Sequence, residues 1–255
     1  MTFDRPFISC ATMLRFADYP RHWLARALLT VVLAMNLSAP AQAQSQVDED
    51  QLGAWYMYFF NNKFENSQWG FQGDVQYRAW DWGSDLEQLL LRGGLTWRPQ
   101  SNDIMFTLGY ANITSGEFGD SSATSGEDRI YQEALIPQQI GTRYLLTHRF
   151  RFEQRWVDDQ DFRTRFRYAL FLNVPFNRTD LKKGAWYLSL YNELFINGQR
   201  DIGDDREVEL FDRNRFYAGI GHSLTDRSRL QFGYMQQYTE DVNKGQLQFS
   251  LHQAF

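Results

Sequence analysis

The chain has 255 residues, 43% hydrophobic and 16% aromatic, with 26 basic and 31 acidic residues giving a net charge of −5. An acidic balance with its basic residues interleaved among acids argues against a nucleic-acid-binding surface. A single cysteine excludes a disulfide scaffold and a cysteine-based metal site.

The first recognisable element is an export signal. Arg21, His22 and Arg26 precede the apolar run ALLTVVLAMNLSA, and the small-residue site Ala41-Gln42-Ala43 follows. That layout predicts a signal peptide over residues 1–43, cleaved after Ala43, with either Met1 or Met13 as the start. Residues 44–255 then form a single domain of 212 residues with 22 basic and 29 acidic side chains, net −7. Cys10 leaves with the signal and precedes the apolar run, so it is no lipid anchor. Nothing after Ala43 approaches the ~20 consecutive apolar residues of a spanning helix. Residence in a membrane would have to come from strands.

From residue 51 onward a period of two dominates. It marks segments at 51–61, 67–79, 86–98, 103–113, 128–137, 142–156, 161–173, 185–196, 211–222, 228–239 and 245–255. Short turns such as RPQSND and SLTDRS alternate with the long acidic loops TSGEFGDSSATSGED and NGQRDIGDDREVEL. Strands of ten or so residues with unequal loops at the two ends match a bacterial outer-membrane barrel. Soluble sandwich strands average nearer ~5–6 residues. The fold class expected is therefore all-β, an antiparallel up-and-down transmembrane β-barrel. Eleven segments are recognised, but single-chain bacterial barrels have even strand numbers. Twelve strands are expected, with a short one unrecognised or the first segment threading the lumen.

The stretch LLTHRFRFEQRW poses the question of which face is inside. Arg149, Arg151, Glu153 and Arg155 share one face, and His148, Phe150, Phe152, Gln154 and Trp156 share the other. The next strand repeats the pattern with Arg163, Arg165 and Arg167. Six arginines on two neighbouring strands repel unless carboxylates or water compensate. Glu133, Glu153, Glu193 and Asp74 are the candidate partners, so these ten residues define an expected lumen charge cluster. On a soluble sheet the same arginines would instead form a solvated outer face. Trp55, Trp69, Trp80, Trp82, Trp97, Trp156 and Trp186 lie at or near strand ends, as in the aromatic girdles of membrane barrels. The last strand places Phe249, Leu251 and Phe255 on one face. It looks like the C-terminal strand that outer-membrane proteins present to the barrel-assembly machinery, although Gln253 departs from that pattern.

With these residues assembled, residues 51–255 resemble an uncharacterised family of bacterial outer-membrane barrels, a domain of unknown function of the DUF2490 type. The resemblance rests on RIYQEALIPQQ…LLTHRFRFEQRW, RTRFRYALFLNVPF, WYLSLYNELFIN, FDRNRFYAGIGHSL and LQFGYMQQY. It implies a barrel fold and an outer-membrane address, and it carries no reaction and no functional residues with it.

Chemistry is sparse. A lipid-modifying barrel enzyme needs a nucleophile, a base and an orienting group. After the signal only His148, His222 and His252 are available. Ser250 and His252 alternate onto one face, but no Asp or Asn completes a triad, so no catalytic residue is expected. No H-x-x-x-H or H-E-x-x-H spacing exists, and the acids at 201–209 do not follow a calcium-loop pattern, so neither metal nor cofactor is expected. The reading is an outer-membrane barrel of a Gram-negative bacterium, structural or a narrow, plugged passive channel lined by Arg and Glu. Its partners would be outer-membrane lipid, lipopolysaccharide and the assembly machinery, with no nucleic acid. A lipid acyl hydrolase or lipid A-modifying enzyme and a soluble periplasmic binding barrel are the alternatives.

Overall fold

A computed structural model describes residues 47–255. The signal peptide expected over residues 1–43 lies outside the described residues, as does its cleavage site. Eleven strands form one closed barrel: β1 Gly53–Lys63, β2 Trp69–Ala79, β3 Leu86–Trp97, β4 Met105–Gly116, β5 Thr124–Ile140, β6 Tyr144–Val157, β7 Arg163–Pro175, β8 Trp186–Asn197, β9 Phe211–Ser223, β10 Ser228–Tyr238 and β11 Asn243–Ala254. The described residues contain no helix.

The expected count of twelve is wrong. Each strand from β1 to β11 pairs antiparallel with the next in the chain, and the barrel closes by a parallel pairing of β1 with β11, Gly53 opposite Gln246 through Asn61 opposite Ala254. An odd number of alternating strands leaves the first and last running in the same direction, so only a parallel ladder can join them. The first segment neither threads the lumen nor needs an unrecognised partner. Rings reinforce the seam: Tyr56 stacks on Phe249 at 5.4 Å and Phe59 on His252 at 4.7 Å.

This closure has a direct test, helped by the absence of cysteine from the described residues. Tyr58 is the register partner of Leu251. The pair Y58C/L251C is expected to form an intramolecular disulfide on mild oxidation of the folded protein, because paired strand positions lie within disulfide reach. Peptide mapping under non-reducing conditions reads the result. No cross-link in the folded protein would mean that another strand or segment separates β1 from β11.

The two ends of the barrel differ. At the end where β1 begins, the Gly53 end, the connections are residues 80–85, 117–123, 158–162, 198–210 and 239–242. At the Phe255 end they are 64–68, 98–104, 141–143, 176–185 and 224–227. The Gly/Ser-rich stretch expected as a long loop is largely zipped into the sheet, since β4 runs to Gly116 and β5 starts at Thr124. Tight turns use residues that tolerate positive φ, among them Asn66, Asp159, Gly83 and Gly141. In the 80–85 turn the Ser84 hydroxyl and the backbone N–H groups of Gly83, Ser84 and Asp85 donate to Asp81. Those bonds hold its carboxyl well below the usual range.

Side-chain alternation then makes the barrel apolar outside and charged inside. Phe71, Leu95, Leu108, Phe152, Phe166, Ile220 and Phe232 are exposed on the outer face. Glu153, Arg151, Arg165, Arg167 and Glu193 are buried within. Polar groups on the outer face largely pair with each other: Gln132 with Gln154 at 3.2–3.3 Å and Asn192 with Asn214 at 2.9–3.2 Å. Such pairing removes much of the cost of an apolar surrounding. Trp69, Trp97 and Trp186 ring the Phe255 end, and Trp82 and Trp156 lie at the other, all exposed. Trp55 and Trp80 depart from the expected girdle. Trp55 is buried inside, and Trp80 packs edge-on to Phe118 while donating to the Gly116 carbonyl.

The interior is filled rather than hollow. Glycine at inward positions makes room for tyrosine rings: a Cβ at Gly109 would meet the Tyr131 ring at 2.2 Å, and one at Gly221 the Tyr187 ring at 2.1 Å. Phe249 and Leu251 lie on the outer face of β11, which is hydrogen-bonded along both edges, and the exposed Phe255 follows its last residue.

Candidate functional site

The register of β5 to β9 sets the interior side chains in rows. One row reads Arg129, Arg155, Arg163; the next Tyr131, Glu153, Arg165, Asn197; the next Glu133, Arg151, Arg167, Phe195; and the last Arg149, Ala169, Glu193, Arg215. Arginine therefore faces arginine across strands three times, at Arg129/Arg155, Arg155/Arg163 and Arg151/Arg167. Such pairs repel, and burial amplifies the repulsion.

Four glutamates compensate. Glu153 sits at the centre, 2.8 Å from Arg165 and 2.7 Å from Arg167, with Arg129 and Arg151 at 3.8 Å. Glu133 meets Arg151 at 2.5 Å and Arg149 at 3.9 Å, and accepts a bond from Gln72 across the lumen at 2.8 Å. Glu193 joins Arg149 at 2.5 Å and Arg167 at 2.6 Å. Glu127 joins Arg129 at 2.6 Å and Arg155 at 2.5 Å. Asp74 stands apart from the β6–β7 arginines and pairs with Arg92 at 2.9 Å. Eight of the ten residues proposed from the sequence thus lie in one ion-paired network, with Asp74 in a neighbouring pair. Arg163 is only the register neighbour of Arg155, and among the described residues its buried Nε has no hydrogen-bond partner.

Several participants escape a strict alternation reading, and two have the same cause. A register shift between Arg78 and Ala79 makes Glu87 an extra residue of β3 and turns it inward. There it accepts from the Trp55 indole N–H at 2.7 Å and from Gln246 at 3.2 Å. A second shift, between Phe195 and Ile196, inserts Asp212 into β9, where it binds Arg165 at 2.6 Å and Arg213 at 3.0 Å. Arg78 and Arg215 complete the set. Their guanidinium carbons lie 3.8 Å and 4.9 Å from the Trp55 ring centre, and Arg215 also lies 4.9 Å from the Phe195 ring.

These side chains divide the lumen into two chambers. The one toward the Gly53 end has a volume of about 160 Å³ and is lined by eight arginines against a single carboxylate, Glu127. The one toward the Phe255 end has about 330 Å³ and a mixed lining that includes Phe59, Tyr191, Gln231 and His252. Arg78, Arg92, Arg167 and Arg215 line both, so they form the layer between them. At the Gly53 mouth the buried Lys244 donates to the carbonyls of Asp48 at 3.0 Å and Gln51 at 2.6 Å, fixing the segment before β1.

The histidines are dispersed. His252 lies inside, 3.1 Å from Ser250 Oγ, with Phe59 stacked on it and Arg229 as its cross-strand neighbour. No carboxylate is among its hydrogen-bond partners. His148 is on the outer face with Tyr168 and Gln138, and His222 stacks on Trp186 at 4.2 Å. Among the described residues no group of three or more His, Cys, Asp and Glu is placed to hold a metal ion. In the 198–210 loop Arg200 pairs with Glu207 and Glu209, and Arg206 with Asp204.

A family model described as a protein of unknown function, DUF2490, matches residues 52–248, which span β1 to β10 whole and the first half of β11. No curated protein matches the chain.

Proposed function

The chain belongs to the DUF2490 family, and from that premise we propose that it is an outer-membrane β-barrel working as a narrow, largely plugged passive channel that favours anions. The observation carrying this reading is the inverted burial pattern. Ion-paired arginines and glutamates are enclosed, while aromatic and aliphatic side chains cover the outside. A soluble barrel with that surface would expose far more contiguous apolar area than soluble monomers carry. In lipid the same surface is the stabilising one, and strands of 11–17 residues meet or exceed the ~9–11 needed to cross. The outer aromatic rings at both ends fit the two lipid–water boundaries.

The lumen accounts for the narrowness. Its side chains bond across the interior: Arg149 of β6 to Glu193 of β8, Gln72 of β2 to Glu133 of β5, and Tyr191 of β8 to Gln248 of β11. Arginine excess accounts for the sign of selectivity. No catalytic role is assigned to Ser250 and His252, because the pair lacks an orienting carboxylate.

The test joins localisation to conductance. The protein is expected in the outer-membrane fraction with heat-modifiable migration on a gel. Planar-bilayer recording is expected to show small, infrequent openings whose reversal potential favours chloride over potassium. Large, stable openings would refute the plug, cation selectivity would refute the sign, and recovery as a soluble periplasmic protein would refute the membrane reading.

A further inference from the structure

We infer that the chamber at the Gly53 end is a binding site for a soluble multivalent oxyanion of the phosphate class. The inference rests on the anion-favouring reading of the lumen and gives it a ligand and a place. Eight arginines line the chamber, and its one carboxylate, Glu127, is already consumed by Arg129 and Arg155 at 2.5–2.6 Å. Among the described residues, two of the lining guanidinium groups have no carboxylate within ion-pair distance. Arg78 donates only to the side-chain carbonyls of Gln76 and Gln88, at 2.7–3.1 Å. Arg215 donates only to that of Gln237, at 2.8 Å. Both are about 5% exposed.

A buried cation whose hydrogen bonds go to amides and whose faces meet aromatic rings is less well compensated than an ion-paired one, and an anion between such groups relieves it. Guanidinium forks match phosphate oxygens in geometry, which chloride does not exploit. Size narrows the class further. About 160 Å³ admits orthophosphate or pyrophosphate. It falls well short of the ~300 Å³ or more of pockets that hold drug-sized ligands, a class that takes in nucleotides. The site is enclosed by the barrel wall, so a phosphate carried on a lipid does not reach it.

The structure also supplies a reporter. Trp55 is 2% exposed and touches both arginines, whereas Trp69, Trp82, Trp97, Trp156 and Trp186 are exposed on the outside. An anion drawing Arg78 or Arg215 away from the ring changes the emission of this one indole.

The experiment titrates the folded protein in zwitterionic detergent with pyrophosphate, orthophosphate and, at matched ionic strength, chloride. Heat is followed by calorimetry and tryptophan emission in parallel. Saturable one-to-one binding of pyrophosphate is expected, tighter than orthophosphate, with no saturation by chloride and with the emission change lost in W55F. R78Q/R215Q, shown to be folded by its heat-modifiable band, is expected to bind at least about tenfold more weakly. A wild-type titration indistinguishable from chloride overturns the inference without recourse to any variant, as does unchanged affinity in folded R78Q/R215Q. A lipid-anchored phosphate such as dodecyl phosphate matching pyrophosphate would overturn the enclosed, soluble-ligand site. Saturable binding in a barrel that passes no current would refute the channel reading alone. Anion-selective current without saturable binding would refute this inference alone.

Discussion

Replacing Glu153 with glutamine is expected to lower the stability of the folded barrel by about 1–3 kcal/mol, the usual cost of leaving buried hydrogen-bonding groups without their charged partner. No other single side chain has so many dependants. Glu153 is 1% exposed and lies within 4 Å of Arg129, Arg151, Arg165 and Arg167. Its substitution takes one carboxylate from each of them and leaves each a single other partner: Glu127 for Arg129, Glu133 for Arg151, Asp212 for Arg165 and Glu193 for Arg167. Glutamine keeps the shape and one acceptor oxygen, so the loss isolates charge from packing. Urea titration of the protein refolded into lipid vesicles measures it. Phe152→Leu, the preceding residue on the neighbouring outward position, serves as the contrast and is expected to stay within about 1 kcal/mol of the parent. E153Q/R165Q is expected to recover part of the loss, because it withdraws one of the cations that lost a partner and leaves Asp212 its second partner, Arg213. Equal stability of E153Q and the parent would mean that Glu127, Glu133, Glu193 and Asp212 compensate the arginines without Glu153.

Much of this interior is legible in the sequence, for a physical reason. Between residues 144 and 175 one parity is Arg/Glu-rich and the other Phe/Tyr/Leu-rich, so phase and charge reinforce each other. Where both parities carry the same chemistry, phase is lost. In β1, Trp55, Met57 and Phe59 alternate with Tyr56, Tyr58 and Phe60. Nothing in that pattern says that Trp55 is an interior ring rather than part of a girdle. Bulges defeat the reading differently. Glu87 and Asp212 sit in locally regular alternations that place them outside, and only the register against a neighbouring strand reveals the added residue. The parallel closure has no local signature either, because a strand's alternation is the same whichever way its partner runs. It follows from an odd count, and the eleven recognised segments already contained it. The even-number rule for bacterial barrels outweighed the count.

Shortening Arg78 and Arg215 together, as R78A/R215A, is expected to join the two chambers and convert small, infrequent openings into larger and more persistent ones. The pair supplies half of the layer between the chambers. The other half is held differently: Arg92 is bound to Asp74, and Arg167 to Glu153 and Glu193. Truncating Arg167 would take a charged partner from two carboxylates, whereas Arg78 and Arg215 release amide partners and their contacts with the Trp55 and Phe195 rings. The double variant therefore removes bulk from the constriction at small cost to the fold, with truncation of two buried side chains as the main penalty. Losing two positive charges from the layer between the chambers is also expected to weaken the proposed anion preference, since rings of charged side chains set ion selectivity. Bilayer recording of the parent and the variant should show conductance rising severalfold while the reversal potential moves toward zero. Conductance unchanged in a folded variant would place the plug elsewhere. The segment fixed by Lys244 at the Gly53 mouth would then be the next candidate, tested by Lys244→Met.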